Sequence, residues 1–95
     1  MPETIEVLNP GSPDRPVRLD AARVRAVRAA ILAALPEAAP GITFAEMKAA
    51  VAASLPELFP GGEKAGWWTK AVQLDLEARG EAVREASRPL RFRRA

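Results

Sequence analysis

Lys64-Ala-Gly-Trp-Trp-Thr-Lys-Ala-Val-Gln-Leu-Asp-Leu-Glu-Ala-Arg-Gly80 is the stretch whose reading decides the fold. Wound as an α-helix at about 100° per residue, it predicts two apolar stripes. Ala65, Trp68, Thr69, Val72 and Leu76 form the first. Trp67, Ala71, Leu74 and Ala78 form the second, on nearly the opposite side. Lys70, Gln73 and Glu77 are left for solvent. Asp75 and Arg79 lie one turn apart, where they can pair. Gly80 stands where a left-handed residue ends a helix, and Arg79 is a last-turn cation. A helix apolar on two sides needs cover from two directions, so what covers the Trp67 stripe bears on function.

Upstream, Pro56 to Gly62 reads as a turn into this helix. Before it, Ile42-Thr43-Phe44-Ala45-Glu46-Met47 carries a capping box at Thr43 and Glu46, with Ile42 and Met47 placed as its hydrophobic staple. A helix from Thr43 to about Leu55 follows, with Met47, Ala50 and Val51 toward the core. Pro36 to Gly41 is a linker. The helix before it starts at the N-cap Asp20, runs to Leu35 and buries Val24, Val27, Ile31 and Leu35. Arg25 and Arg28 fall away from that stripe, on what reads as a solvated face.

Residues 1–19 read as an extended arm. Ile5, Val7 and Leu8 make a short strand, Asn9 to Pro16 a proline-rich loop, and Val17 and Leu19 alternate around Arg18. The arm is too apolar for a disordered tail. It is expected to pack over or beside the Trp67 stripe, from its own chain or a partner's, leaving Trp67 largely buried. An arm-exchanged homodimer is the variant to test. Downstream of Gly80 the period changes to two. A hairpin is expected with Val83, Leu90 and Phe92 inside, Arg84, Arg91 and Arg93 outside, and Ser87-Arg88-Pro89 at its tip.

The order helix, helix, helix, hairpin, with Leu76-Glu77-Ala78-Arg79-Gly80 leading into the basic hairpin, resembles a winged helix-turn-helix domain over residues 20–94. The fold expected is mainly α with a small β-hairpin: an arm over 1–19 and a winged-helix-like domain over 20–95. The resemblance implies DNA binding, with helix 65–79 in the major groove and the basic hairpin 82–94 on phosphate or in the minor groove. The matching candidate contacts are Lys64, Lys70 and Gln73 on the helix and Arg84, Arg88, Arg91, Arg93 and Arg94 on the hairpin. The alternative is a protein-interaction or dimerisation module using Trp67, Ala71, Leu74 and Ala78. That side is apolar, whereas base edges are read mainly by Arg, Lys, Asn and Gln. Glu6-Val-Leu-Asn-Pro10, Leu58-Phe-Pro-Gly-Gly62, Lys64-Ala-Gly-Trp-Trp68 and Val72-Gln-Leu-Asp-Leu-Glu77 also resemble a small family of uncharacterised bacterial proteins, which implies no activity.

Composition narrows the classes. A chain of 95 residues makes one modest domain. Its net charge is +2, distributed as +1 over residues 1–36, −2 over 37–80 and +3 over 81–95. There is no cysteine and no histidine, so the thiolate nucleophile, the commonest general base and the usual zinc ligands are missing. Asp75 and Glu77 diverge on a helix and cannot flank one substrate. Gly61-Gly62 lacks phosphate-loop spacing. No enzyme, cofactor or metal site is expected. No apolar run reaches membrane-span length, so a soluble cytoplasmic protein is the expectation.

Overall fold

The computed structural model describes residues 3–12 and 14–95. Met1, Pro2 and Pro13, which the sequence reading puts in the arm and its loop, lie outside the described residues. The first correction concerns that arm. Strands β1 (Thr4–Val7) and β2 (Val17–Asp20) run antiparallel, with Thr4 opposite Asp20 and Val7 opposite Val17. The arm is a hairpin, and the chain is mixed α/β rather than mainly α. A lone extended arm would leave its backbone N–H and C=O groups unpaired where it packs; folding back lets each strand satisfy the other. The turn is set by Asn9, whose Oδ1 accepts from Gly11 N at 2.8 Å and whose carbonyl accepts from Ser12 N at 2.9 Å. Val7 enters the main core.

Helix α1 (Ala21–Ala34) begins with Asp20 accepting from Arg23 N at 2.9 Å, and buries Val24, Val27 and Ile31, with Leu35 at its C-cap. Strand β3 (Ile42–Thr43) leads directly into α2 (Phe44–Ser54). The capping box forms: Thr43 Oγ1 accepts from Glu46 N at 3.2 Å, and Glu46 Oε1 accepts from Thr43 N at 2.9 Å. Helix α3 (Ala65–Ala78) ends as its glycine demands. Gly80 takes φ 75°, Gly80 N donates to Glu77 O at 3.1 Å, and Glu81 N donates to Leu76 O at 2.8 Å, which is a Schellman closure.

Strands β4 (Ala82–Glu85) and β5 (Arg91–Arg94) complete a second antiparallel sheet in the order β3-β5-β4. Ile42 stands opposite Phe92, so the short segment before α2 ties the hairpin to the helices. Gly41 permits this approach: a Cβ there would lie 2.2 Å from Phe92 O, and its φ is +84°. The hairpin's inner face is corrected by one residue. Ala82, not Val83, is buried with Phe92, and Leu90 is 44% exposed. Arg84 stands opposite Phe92 and therefore shares its face. Phe59 and Phe92, both fully buried, each contribute about 2–3 kcal/mol of burial. Among the described residues no helix is long and apolar enough to cross a membrane.

Candidate nucleic-acid interface

Four of the five hairpin arginines are engaged within the fold. Arg84 donates to Glu77 through Nε at 2.9 Å and Nη2 at 3.3 Å, and its guanidinium lies 5.5 Å from the centre of the Phe92 ring. Arg93 pairs with Glu85. Arg94 meets Glu37 at 3.3 Å and donates to Leu35 O at 3.1 Å. Arg91 is held most loosely, 3.9 Å from Glu46 and 3.2 Å from Gly41 O. Hydrogen bonds from Thr43, backbone first and then side chain, hold the Glu46 carboxyl below its usual range, and Arg91 adds the weakest pull. Arg88, at the exposed tip, makes no ion pair with a described residue. In all, eight of the eleven arginines are in ion pairs, including Arg25 with Glu3 and Arg28 with Glu81.

The lysines are placed differently. The chain has three, Lys48, Lys64 and Lys70, and none forms an ion pair with a described residue. All three gather where α2 meets the start of α3. Lys48 crosses from α2 to Gly66, with Nζ 3.7 Å from where a Cβ would stand. Lys64 is the N-cap of α3, left-handed at φ 66° and without a side-chain cap. Lys70 Nζ lies 5.5 Å from the centre of the Phe44 ring. The first turn of α3 holds no acid, so its N–H groups and the helix dipole add to the positive field. Exposed Glu63 is the one carboxylate beside it in sequence.

Two candidates move. Gln73 is fully buried and is no surface contact, because α1 and α2 both pack on α3 and its buried arc extends past Thr69 to Gln73. Gln73 Oε1 and Nε2 and Thr69 Oγ1 have no hydrogen-bond partner among the described residues. Trp67 is 57% exposed rather than covered. The N-terminal hairpin stands beside its stripe instead of over it. Leu8 N donates to Asp75 Oδ1 at 2.8 Å, and Arg79 Nη2 donates to Glu6 O at 3.0 Å. Asp75 also pairs with Arg79 at 2.9 Å and lies 3.8 Å from Arg28, so one buried carboxylate binds the hairpin, α1 and α3 together. Between hairpin and helix lies a groove of about 290 Å³, with Leu8, Val17 and Leu19 on one wall and Trp67, Ala71 and Leu74 on the other. Ala78 is exposed below it.

Lys48, Asn9, Ser12 and Arg15 were missed by sequence reasoning: the first joins the lysine group, the others line the groove. Spacing alone could have placed Lys48 on the exposed face of α2, but not over Gly66. Among the described residues no three His, Cys, Asp or Glu side chains converge to hold a metal. No curated protein and no solved structure gives a match to the chain. A family model does, over residues 4–92, from the first N-terminal strand to the last hairpin strand. The chain belongs to the family described as a family of unknown function, DUF6958.

Proposed function

We propose that the chain is a non-catalytic domain of the winged-helix type that binds nucleic acid through the N-terminal half of α3. The order of elements supports the fold half of this reading: three helices, a short strand between the first two, and a closing hairpin in a sheet of order β3-β5-β4. One observation carries the binding half, the division of the cations. Arginines with their own carboxylates add little field at a distance. Lys48, Lys64 and Lys70 have no such partner among the described residues and are free to replace counterions on phosphate. Of the base-reading residue types the exposed side of α3 offers only Lys70, set among apolar Trp67, Leu74 and Ala78, so the contact is mainly to backbone rather than to base edges in the major groove. Arg88, exposed at the hairpin tip, is a further candidate for a flanking phosphate.

Retention on heparin and on a mixed-sequence duplex across a salt gradient tests this. Replacing Lys48, Lys64 and Lys70 by alanine is expected to flatten the log–log salt slope by up to about three. Replacing Arg91 and Arg93 should flatten it by less than one. Failure of the native protein to bind at low salt overturns the reading. A second reading is favoured by the exposure of Val17 on the edge strand β2, across the groove from Trp67: a second copy of the chain docks there, edge to edge. A dimer seen by light scattering and lost in Trp67→Ala would select it.

A further inference from the structure

We infer that the groove between the β1–β2 hairpin and α3 binds an unpaired nucleobase together with its phosphate, with Trp67 as the stacking surface. This rests on the reading of the lysine end of α3 as a nucleic-acid surface, and names what that surface takes. Lys64, Trp67 and Lys70 follow one another at steps of three, so the indole stands between two unpaired cations. Its plane is fixed from behind. Trp68 meets it at 75° with centroids 5.3 Å apart, and the Arg23 guanidinium lies 5.3 Å from the Trp68 ring. That edge contact leaves at least one face of Trp67 open. The groove beside it is lined with aliphatic groups, and its rim carries Asn9, Ser12 and Arg15. Asn9 Oδ1 is taken by Gly11 N, which leaves the amide N–H₂ to donate. Arg15 has no ion pair with a described residue.

These groups match the parts of a nucleotide. The indole meets the face of the base, Asn9 and Ser12 meet its edge, and Arg15, Lys64 and Lys70 meet the phosphate. At about 290 Å³ the groove is at the small end of ligand sites and accommodates one ring system. A duplex keeps its base faces inside its own stack, so only an unpaired base presents one to the indole. The same chemistry is offered by a base in a single strand and by a free nucleotide.

The test titrates the full chain with a short oligothymidylate, a duplex of equal length and thymidine monophosphate, following tryptophan emission and affinity. The single strand is expected to quench emission and to bind more tightly than the duplex. Trp67→Ala should weaken single-strand binding about 5- to 150-fold and leave duplex affinity unchanged. Trp67→Phe should keep most of the affinity and lose the quenching, which excludes a folding defect as the cause. Mononucleotide binding as tight as the strand's assigns the site to free nucleotides; much weaker binding assigns it to bases within a strand. Lysine-dependent duplex binding without quenching or any Trp67 effect overturns the stacking site and leaves the nucleic-acid reading standing. No binding of any probe at low salt overturns both. A Trp67→Ala variant that changes only molecular mass in light scattering assigns the face to a protein contact and also overturns the proposal.

Discussion

The chain is basic in two places, and in two different ways. On the β4–β5 hairpin the cations are arginines, and Arg84, Arg91, Arg93 and Arg94 each face a carboxylate of the same chain. Where α2 meets the start of α3 the cations are lysines, and none faces one among the described residues. The arginine fork suits bidentate pairing inside a fold, whereas a lysine ammonium stays hydrated on a flexible stem. Segment charge points the opposite way. Residues 81–95 net +3 and residues 37–80 net −2, yet the unpaired lysines lie in the acidic segment. The explanation is that Glu37, Glu46 and Glu77, all from that segment, serve hairpin arginines. Net charge along a sequence counts cations; only the fold decides which of them remain available.

The largest effect expected on this comparison comes from the most buried carboxylate. Asp75→Asn should cost about 3 kcal/mol, because Leu8 N, Arg79 and Arg28 lose their common charged acceptor. Urea unfolding measures the loss, and hydrogen exchange at Leu8 should quicken with it. A loss below about 1 kcal/mol would mean that the hairpin is held by apolar contact alone.

A middle-sized effect sharpens the weakest hairpin pair. Thr43→Ala should cost about 1 kcal/mol at neutral pH through the lost N-cap. It should also raise the Glu46 pKa toward its ordinary value, whereas Arg91→Ala should barely move it, since Thr43 is the larger cause. A depressed carboxylate pKa contributes stability that is present above the unfolded-state value and lost as pH falls through the folded one. The Glu46 share of the Thr43→Ala penalty should therefore shrink in acid, readable from unfolding midpoints at neutral and low pH. A Glu46 titration that responds more to Arg91→Ala would make that arginine a tightly engaged one.

The smallest effect is the sharpest challenge to the comparison. Arg84→Ala should cost about 0.5–1 kcal/mol, since its guanidinium is partly exposed and its gain is screened. Nucleic-acid affinity and salt slope should not change. If the slope drops by as much as it does for one lysine, paired arginines contribute to the interface after all.

Local signals carried most of the fold. The Thr43–Glu46 box, the Asp20 cap, the Gly80 stop and the change of period after it can each be read from neighbours in sequence, and each forms as expected. The β1–β2 hairpin was half legible: both apolar runs were visible, but their pairing depended on an Asn9 turn inside a loop that composition alone leaves open. The hairpin phase at Ala82 was not legible, because Val83 is the more apolar residue and only the pairing of Arg84 with Phe92 decides the face. The site was legible as residue types and not as partners. Glu77 with Arg84, Glu37 with Arg94 and Lys48 with Gly66 are relations between distant segments, and no local pattern encodes them.

Gly41 has a mechanical consequence. Strand β3 contributes two residues to the sheet, with Ile42 opposite Phe92, while β4 is held to the helices separately, by buried Ala82 and by Arg84 on Glu77. At Gly41 the hydrogen that stands in place of a side chain is what lets β5 lie so close, since any added carbon meets Phe92 O. A substituent there would act as a wedge at this one strand pair, and Arg91, which reaches both Glu46 and Gly41 O, would lose its seat first.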